Sequence, residues 1–153
     1  MNNNLTTNAS NEAESPAFLV GAVMPSCLRL SLKTKWFEMT KAGIKTEDYR
    51  EINEYWIRRL TNCTTDLTQA KNELLKGGKH AVEVYPSLME APDHWFPKKF
   101  AENIMTLGYP KSGDRERILR LEHKGIRIRT GNPEWGAEPN KLYFVIMHGG
   151  LLA

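Results

Sequence analysis

Lys45, Glu47, Asp48 and Arg50 crowd two cations and two carboxylates into the eight residues Gly43 to Arg50, Gly-Ile-Lys-Thr-Glu-Asp-Tyr-Arg. Opposite charges at this density are costly to bury and contribute little when fully solvated. A cleft that meets a polar ligand, phosphate-bearing or nucleobase-like, would use all four. Lys45 could serve as a cation for phosphate, or as an amine whose pKa falls if the pocket is dry. Glu47 or Asp48 could act as general base toward water or a ribose hydroxyl. Arg50 could grip a phosphate or a carbonyl through two donors. The competing reading is structural: Asp48 and Arg50, two apart on one strand face, would form an ion pair that fixes the loop.

Cations and aromatics elsewhere fit the same chemistry. Pro97 to Thr130 holds nine Lys or Arg against four acids, a local excess of five within a chain of formal charge +3. Such an excess can hold a polyanion, and equally can solvate a strand face. Arg127 and Arg129 are the best phosphate contacts in it, with pairing to Glu122 or Glu116 as the alternative. Trp135, in a Gly- and Pro-rich loop, is a candidate pocket wall that could stack on an unpaired base. Trp36 and Trp56, at helical spacing, read as core.

Several chemistries find no pattern. His80, His94, His123 and His148 lack metal-ligand spacing, so no metal and no cofactor is expected. No phosphate-binding glycine loop or dinucleotide fingerprint is present. Cys27 and Cys63 are the only cysteines, and no basic, apolar leader precedes the fold. The expectation is a chain of the reducing cytoplasm, without a disulfide framework and without a membrane partner.

The elements that must position these residues can be read along the chain. Residues 1–16 form a polar tail expected to be disordered, and 17–153 a single domain, opening on the apolar run Ala17 to Met24. Leu28, Leu30 and Leu32 alternate as a half-buried strand. Thr34 caps a short helix that Gly43 stops. Thr46 to Ile52 is a second strand, and Asn53 caps a helix with Trp56, Ile57 and Leu60 on one face and Arg58 and Arg59 elsewhere. Leu67, Ala70, Leu74 and Leu75 mark a further helix closed by Gly77-Gly78. His80 to Tyr85 reads as a strand and Ser87 to Pro97 as a loop around His94 and Trp95. Asn103 to Leu107 is another strand. Ile126 and Ile128 alternate with Arg127 and Arg129, and Gly125 marks a bulge. Leu142 to Met147 is apolar on both faces, as befits a central strand. About six strands with two to three helices give an α+β fold around a small, mostly antiparallel β-barrel.

The pattern Gly43-x-Lys45-x-x-Asp48-x-Arg50 resembles the signature of the ASCH domain family, Gly-x-Lys-x-x-Glu-x-Arg. Leu28-Arg-Leu-Ser-Leu, Trp36-Phe-Glu-Met, Tyr49-Arg-Glu-Ile-x-x-Tyr-Trp and Gly131-Asn-Pro-Glu-Trp-Gly-Ala-Glu-Pro are similar to segments of its phage and prophage members. The resemblance covers roughly 28–60 and 100–151, leaving about 61–99 as an enlarged insertion. It implies a PUA-like barrel and an RNA- or nucleotide-binding cleft, to which the motif would contribute Gly43, Lys45, Glu47, Asp48 and Arg50, and the residues read above would add Arg127, Arg129 and Trp135. It also offers two alternatives: a small hydrolase, ribonuclease or nucleobase amidohydrolase, with Lys45 and Asp48 as catalytic residues, or a phage protein that binds a host protein. The setting implied is the cytoplasm of a bacterium or phage-infected cell. The threonine nucleophile of the amidohydrolase members, three residues after the lysine, is here Asp48. Asp48 also stands one methylene short of the family's glutamate.

Overall fold

The computed structural model describes residues 26–63, 66–75 and 97–152. The expected tail and apolar run at the N-terminus, the Gly77-Gly78 stop, the 80–85 strand and the loop around His94 lie outside them. Eight principal elements follow in order: β1 (Ser26–Leu32), α1 (Thr34–Lys41), β2 (Glu47–Glu51), α2 (Glu54–Leu60), α3 (Leu67–Leu75), β3 (Phe100–Leu107), β4 (Ile118–Thr130) and β5 (Leu142–Leu151). The strands form one sheet in the order β1-β3-β4-β5-β2. Only the β1–β3 pair is parallel. The described residues therefore hold five strands where about six were expected, in a curled half-barrel with three α-helices.

Local chemistry explains most of the elements. Leu28, Leu30 and Leu32 are buried while Arg29 and Ser31 are exposed, the period-two pattern of a strand with one wet face. Asn53 accepts a hydrogen bond from the Trp56 amide and so caps α2. Thr34 does not cap α1: it is the first helical residue, Lys33 takes the cap position, and no side-chain cap bond forms there. Gly43 follows the helix with a left-handed φ of 76°, and its amide bonds back to Thr40. The register of β4 against β5 shifts between His123 and Gly125, and Gly125 adopts φ 113°, a glycine-favouring geometry that admits the bulge.

The concave face of the sheet carries the main core. Phe37 from α1, Ile57 and Leu60 from α2, and Ala70 and Leu74 from α3 pack against Leu28, Leu30, Met105, Ile128, Phe144 and Ile146. β5, flanked by β4 and β2, is buried on both faces as its sequence implies. Its outward residues Tyr143 and Val145 join Ala137, Tyr49 and Met147 in a second, smaller cluster.

Two structural details prepare the site. The end of α2 meets the chain entering β3, because Thr61 bridges Pro97 and the Lys98 amide donates to the Leu60 carbonyl at 2.8 Å. And the edge strands of the half-barrel, β1 and β2, face each other across an open seam. Arg50 Nη2 spans it, donating to the Ser31 carbonyl oxygen at 3.2 Å.

Candidate functional site

A five-residue strand decides how the charged cluster is used. Alternation along β2 sends Asp48 and Arg50 to the concave face and Glu47 and Tyr49 to the other. What reads as one cluster is therefore two networks back to back.

On the concave side, Lys45 Nζ lies 3.1 Å from Asp48 Oδ1, and Arg50 Nε lies 2.7 Å from Asp48 Oδ2. The lysine amine also donates to the Glu47 carbonyl oxygen. Lys45 is only 2% exposed and Asp48 6% exposed, so the carboxylate is held between two cations away from bulk water. Burial pulls the Lys45 pKa down; the Asp48 charge and hydrogen bond oppose this, and the Arg50 charge adds to it. The expected Asp48–Arg50 ion pair is thus present, and it sits in the wall of a cleft. That cleft, of about 200 Å³, runs along the seam and is lined by Ser31, Trp36, Lys45, Asp48, Arg50 and Trp135.

The far wall is set by the loop between β4 and β5. A short 3₁₀ turn, Pro133–Trp135, ends at Gly136 with φ 97°. A Cβ there would lie 2.9 Å from the Trp36 ring, so only glycine lets the loop lie against that indole. Tyr49 docks the loop from beneath: its hydroxyl accepts from the Asn132 amide at 2.9 Å and donates to Glu47 Oε2 at 2.8 Å. Burial raises the Tyr49 pKa well above its ordinary value, so this hydroxyl stays a donor. The Tyr143 hydroxyl accepts from the Glu138 amide at 2.9 Å and fixes the return of the loop.

The structure divides the residues singled out in the sequence. Lys45, Asp48, Arg50 and Trp135 share the cleft. Gly43 is exposed and serves the helix stop. Glu47 is paired on the opposite face with Arg129, not with the charged side chains of the cleft. Arg129 thus has a partner other than the Glu122 or Glu116 considered, since Glu122 pairs with Lys124 at 3.1 Å. Arg127 is exposed on the same outer face of β4. Trp36 and Trp56 pack partly against the core, as expected, yet each also lines a cleft.

Sequence reasoning missed a buried polar group close to the triad of Lys45, Asp48 and Arg50. Asn103 is fully buried; its side-chain nitrogen lies 2.8 Å from His148 Nδ1 and its oxygen 2.7 Å from His123 Nδ1. Satisfying the asparagine makes His148 Nδ1 an acceptor and puts the proton on Nε2. That atom is buried and has no hydrogen-bond partner among the described residues. Burial lowers the His148 pKa to about 4, with the Asp48 charge opposing and the Lys45 charge assisting. The only signal in the sequence is position: Phe144, Ile146 and His148 alternate onto the concave face, which places an imidazole where an apolar residue would be expected.

Among the described residues no group of His, Cys, Asp and Glu is placed to hold a metal ion, and no helix is long and apolar enough to cross a membrane. Comparison with protein-family models, with curated proteins and with solved structures finds no match to this chain.

Proposed function

We propose that this chain is an RNA- or nucleotide-binding protein of ASCH, PUA-like type, and that its ligand enters the seam between β1 and β2. One observation carries the reading: Lys45, Asp48 and Arg50 meet in a cleft whose walls include two tryptophans, Trp36 and Trp135. Aromatic faces suit a base, and fixed donors and one carboxylate suit its polar edge. Arg50, already held by Asp48 and Ser31, presents a guanidinium that need not be ordered on binding. The half-barrel and the motif spacing support the family reading. Asp48 in place of the longer glutamate leaves room beside the triad.

The hydrolase alternative draws on a separate observation, the buried and unpartnered Nε2 of His148 near Lys45 and Asp48. In that reading Asp48 orients a water or hydroxyl and Lys45 stabilises developing negative charge. Calorimetric titration with nucleosides, nucleotides and short RNAs, with mass spectrometry of the same mixtures, separates the two. Binding without conversion supports the binding module; conversion lost in Lys45→Met and Asp48→Asn, with folding checked, supports the hydrolase. Neither binding nor conversion at low salt overturns both.

A further inference from the structure

A second pocket of about 400 Å³ adjoins the seam cleft, and the two share Ser31 and Arg50. Three arginines line it, Arg29, Arg50 and Arg59, and among the described residues no Asp or Glu does. Two of them are held in place. Arg50 and Arg59 lie 4.9 Å and 5.1 Å from the centre of the Trp56 ring, and Arg59 also donates to the Arg29 carbonyl oxygen. Arg29 is exposed on β1 and has no carboxylate at ion-pair distance among the described residues. Like charges gathered on one indole repel, and among the described residues Asp48 alone pairs with one of them, Arg50. An anion in the pocket would relieve that repulsion.

The rim adds the second ingredient. Tyr109 is 98% exposed and Tyr55 61% exposed, and both line the same pocket. Exposed tyrosines beside preset guanidiniums are the pairing that receives a base next to its phosphate. Two concave pockets joined at Ser31 and Arg50 suit unstacked nucleotides, one in each; a duplex keeps its bases stacked and out of such clefts.

We propose that the arginine pocket takes the phosphodiester and second nucleoside of a single strand whose first base lies in the seam cleft. The unit recognised is then a dinucleotide or longer strand, with Arg50 as the shared contact between the two positions. This rests on the reading of the seam cleft as a nucleotide site, and deepens it. The alternative is that the arginines merely pack on Trp56 and solvate the edge of the sheet.

The test compares uridine and adenosine with their dinucleoside monophosphates, with four-residue oligoribonucleotides and with the matching oligodeoxyribonucleotides. Calorimetry on the full chain at several salt concentrations gives the affinities. The proposal expects at least about a tenfold gain from nucleoside to dinucleoside monophosphate, in line with one stacked base plus one phosphate. Arg29→Gln should remove about three- to tenfold of that gain and lower the salt slope by roughly 0.7, leaving nucleoside affinity unchanged. Arg29→Glu should abolish the gain; the position is exposed, and circular dichroism checks the fold. Equal gains for the ribo and deoxy series would place the recognition on the phosphodiester, and a gain confined to one series would add the sugar to it. A dinucleotide no tighter than its nucleoside, or Arg29 variants that bind like the native chain, would overturn the proposal while leaving the seam cleft intact. Oligonucleotides bound through Arg29 without any nucleoside binding would keep the arginine pocket and remove the seam-cleft reading.

Discussion

Arg50 joins Ser31 across the open seam: its Nη2 donates to the Ser31 carbonyl oxygen at 3.2 Å, while its Nε is held at 2.7 Å by Asp48. One side chain therefore ties together the two edge strands of a sheet that, among the described residues, does not close. Unpaired strand edges are usually blunted by charge or covered. Here the edges are bridged by a guanidinium, and the space left beside it is the cleft. Lys45, Asp48 and Arg50 thus brace the edge of the sheet and line the cleft at once.

That dual role makes the triad sensitive. Asp48→Asn should cost about 3 kcal/mol, because it leaves the buried Lys45 amine without its counter-charge. Chemical denaturation measures this. The double variant Lys45→Met with Asp48→Asn should recover at least about 1 kcal/mol of the loss, since the orphaned cation is gone. Additive losses would show that the Lys45–Asp48 contact contributes nothing.

Tyr49 should control the far wall of the cleft. Tyr49→Phe removes the acceptor of the Asn132 amide and the donor to Glu47, and should destabilise the fold by about 1–2 kcal/mol. Amide exchange at Asn132 to Gly136 should speed up more than exchange in β5. Uniform acceleration throughout the sheet would mean that the hydroxyl does not specifically hold the loop.

Stability should fall with acid chiefly through His148, with His123, whose pKa burial also lowers, adding in the same direction. The folded-state pKa of His148 is lowered to about 4 from an ordinary 6.5. Between those values the unfolded chain binds the extra proton, so stability rises with pH across the window and is lost as pH falls through it. The full difference is about 3 kcal/mol. His148→Phe should flatten this dependence between pH 6.5 and 4, measured as denaturation midpoints. An unchanged slope would assign the acid sensitivity to another group.

Trp135→Ala should weaken nucleotide binding by about 1–3 kcal/mol if the indole stacks on a base. It forms part of a half-buried wall, and its removal should change stability far less than Asp48→Asn. Affinity unchanged in a folded Trp135→Ala variant would take the indole out of the site.

The fold was legible where the signal was local. The Leu28-Leu30-Leu32 alternation, the Asn53 cap, the Gly125 bulge and the two-sided apolar strand at Leu142 to Met147 each depend on near neighbours. The cap assigned to Thr34 failed because a Ser or Thr before an apolar run marks a helix start only to within a residue. The site was half legible: the spacing of Lys45, Asp48 and Arg50 fixes their chemistry, but not which strands are edges. Glu47 pairing with Arg129, and Asn103 bonding His148, are set by sheet order between residues far apart in sequence. No window of sequence contains that information. Nothing local marks Arg29 and Arg59 as pocket residues either, since the approach of α2 to β1 is what brings them to one pocket.

The most direct test of the seam cleft is amide chemical-shift mapping of the isotope-labelled chain during titration with a short single-stranded RNA at low salt. The account predicts shifts concentrated at Ser31 to Lys33, Lys45 to Arg50 and Trp135 to Gly136, saturating together. Saturable shifts confined to the outer face around Arg127, or no shifts at all, would contradict it.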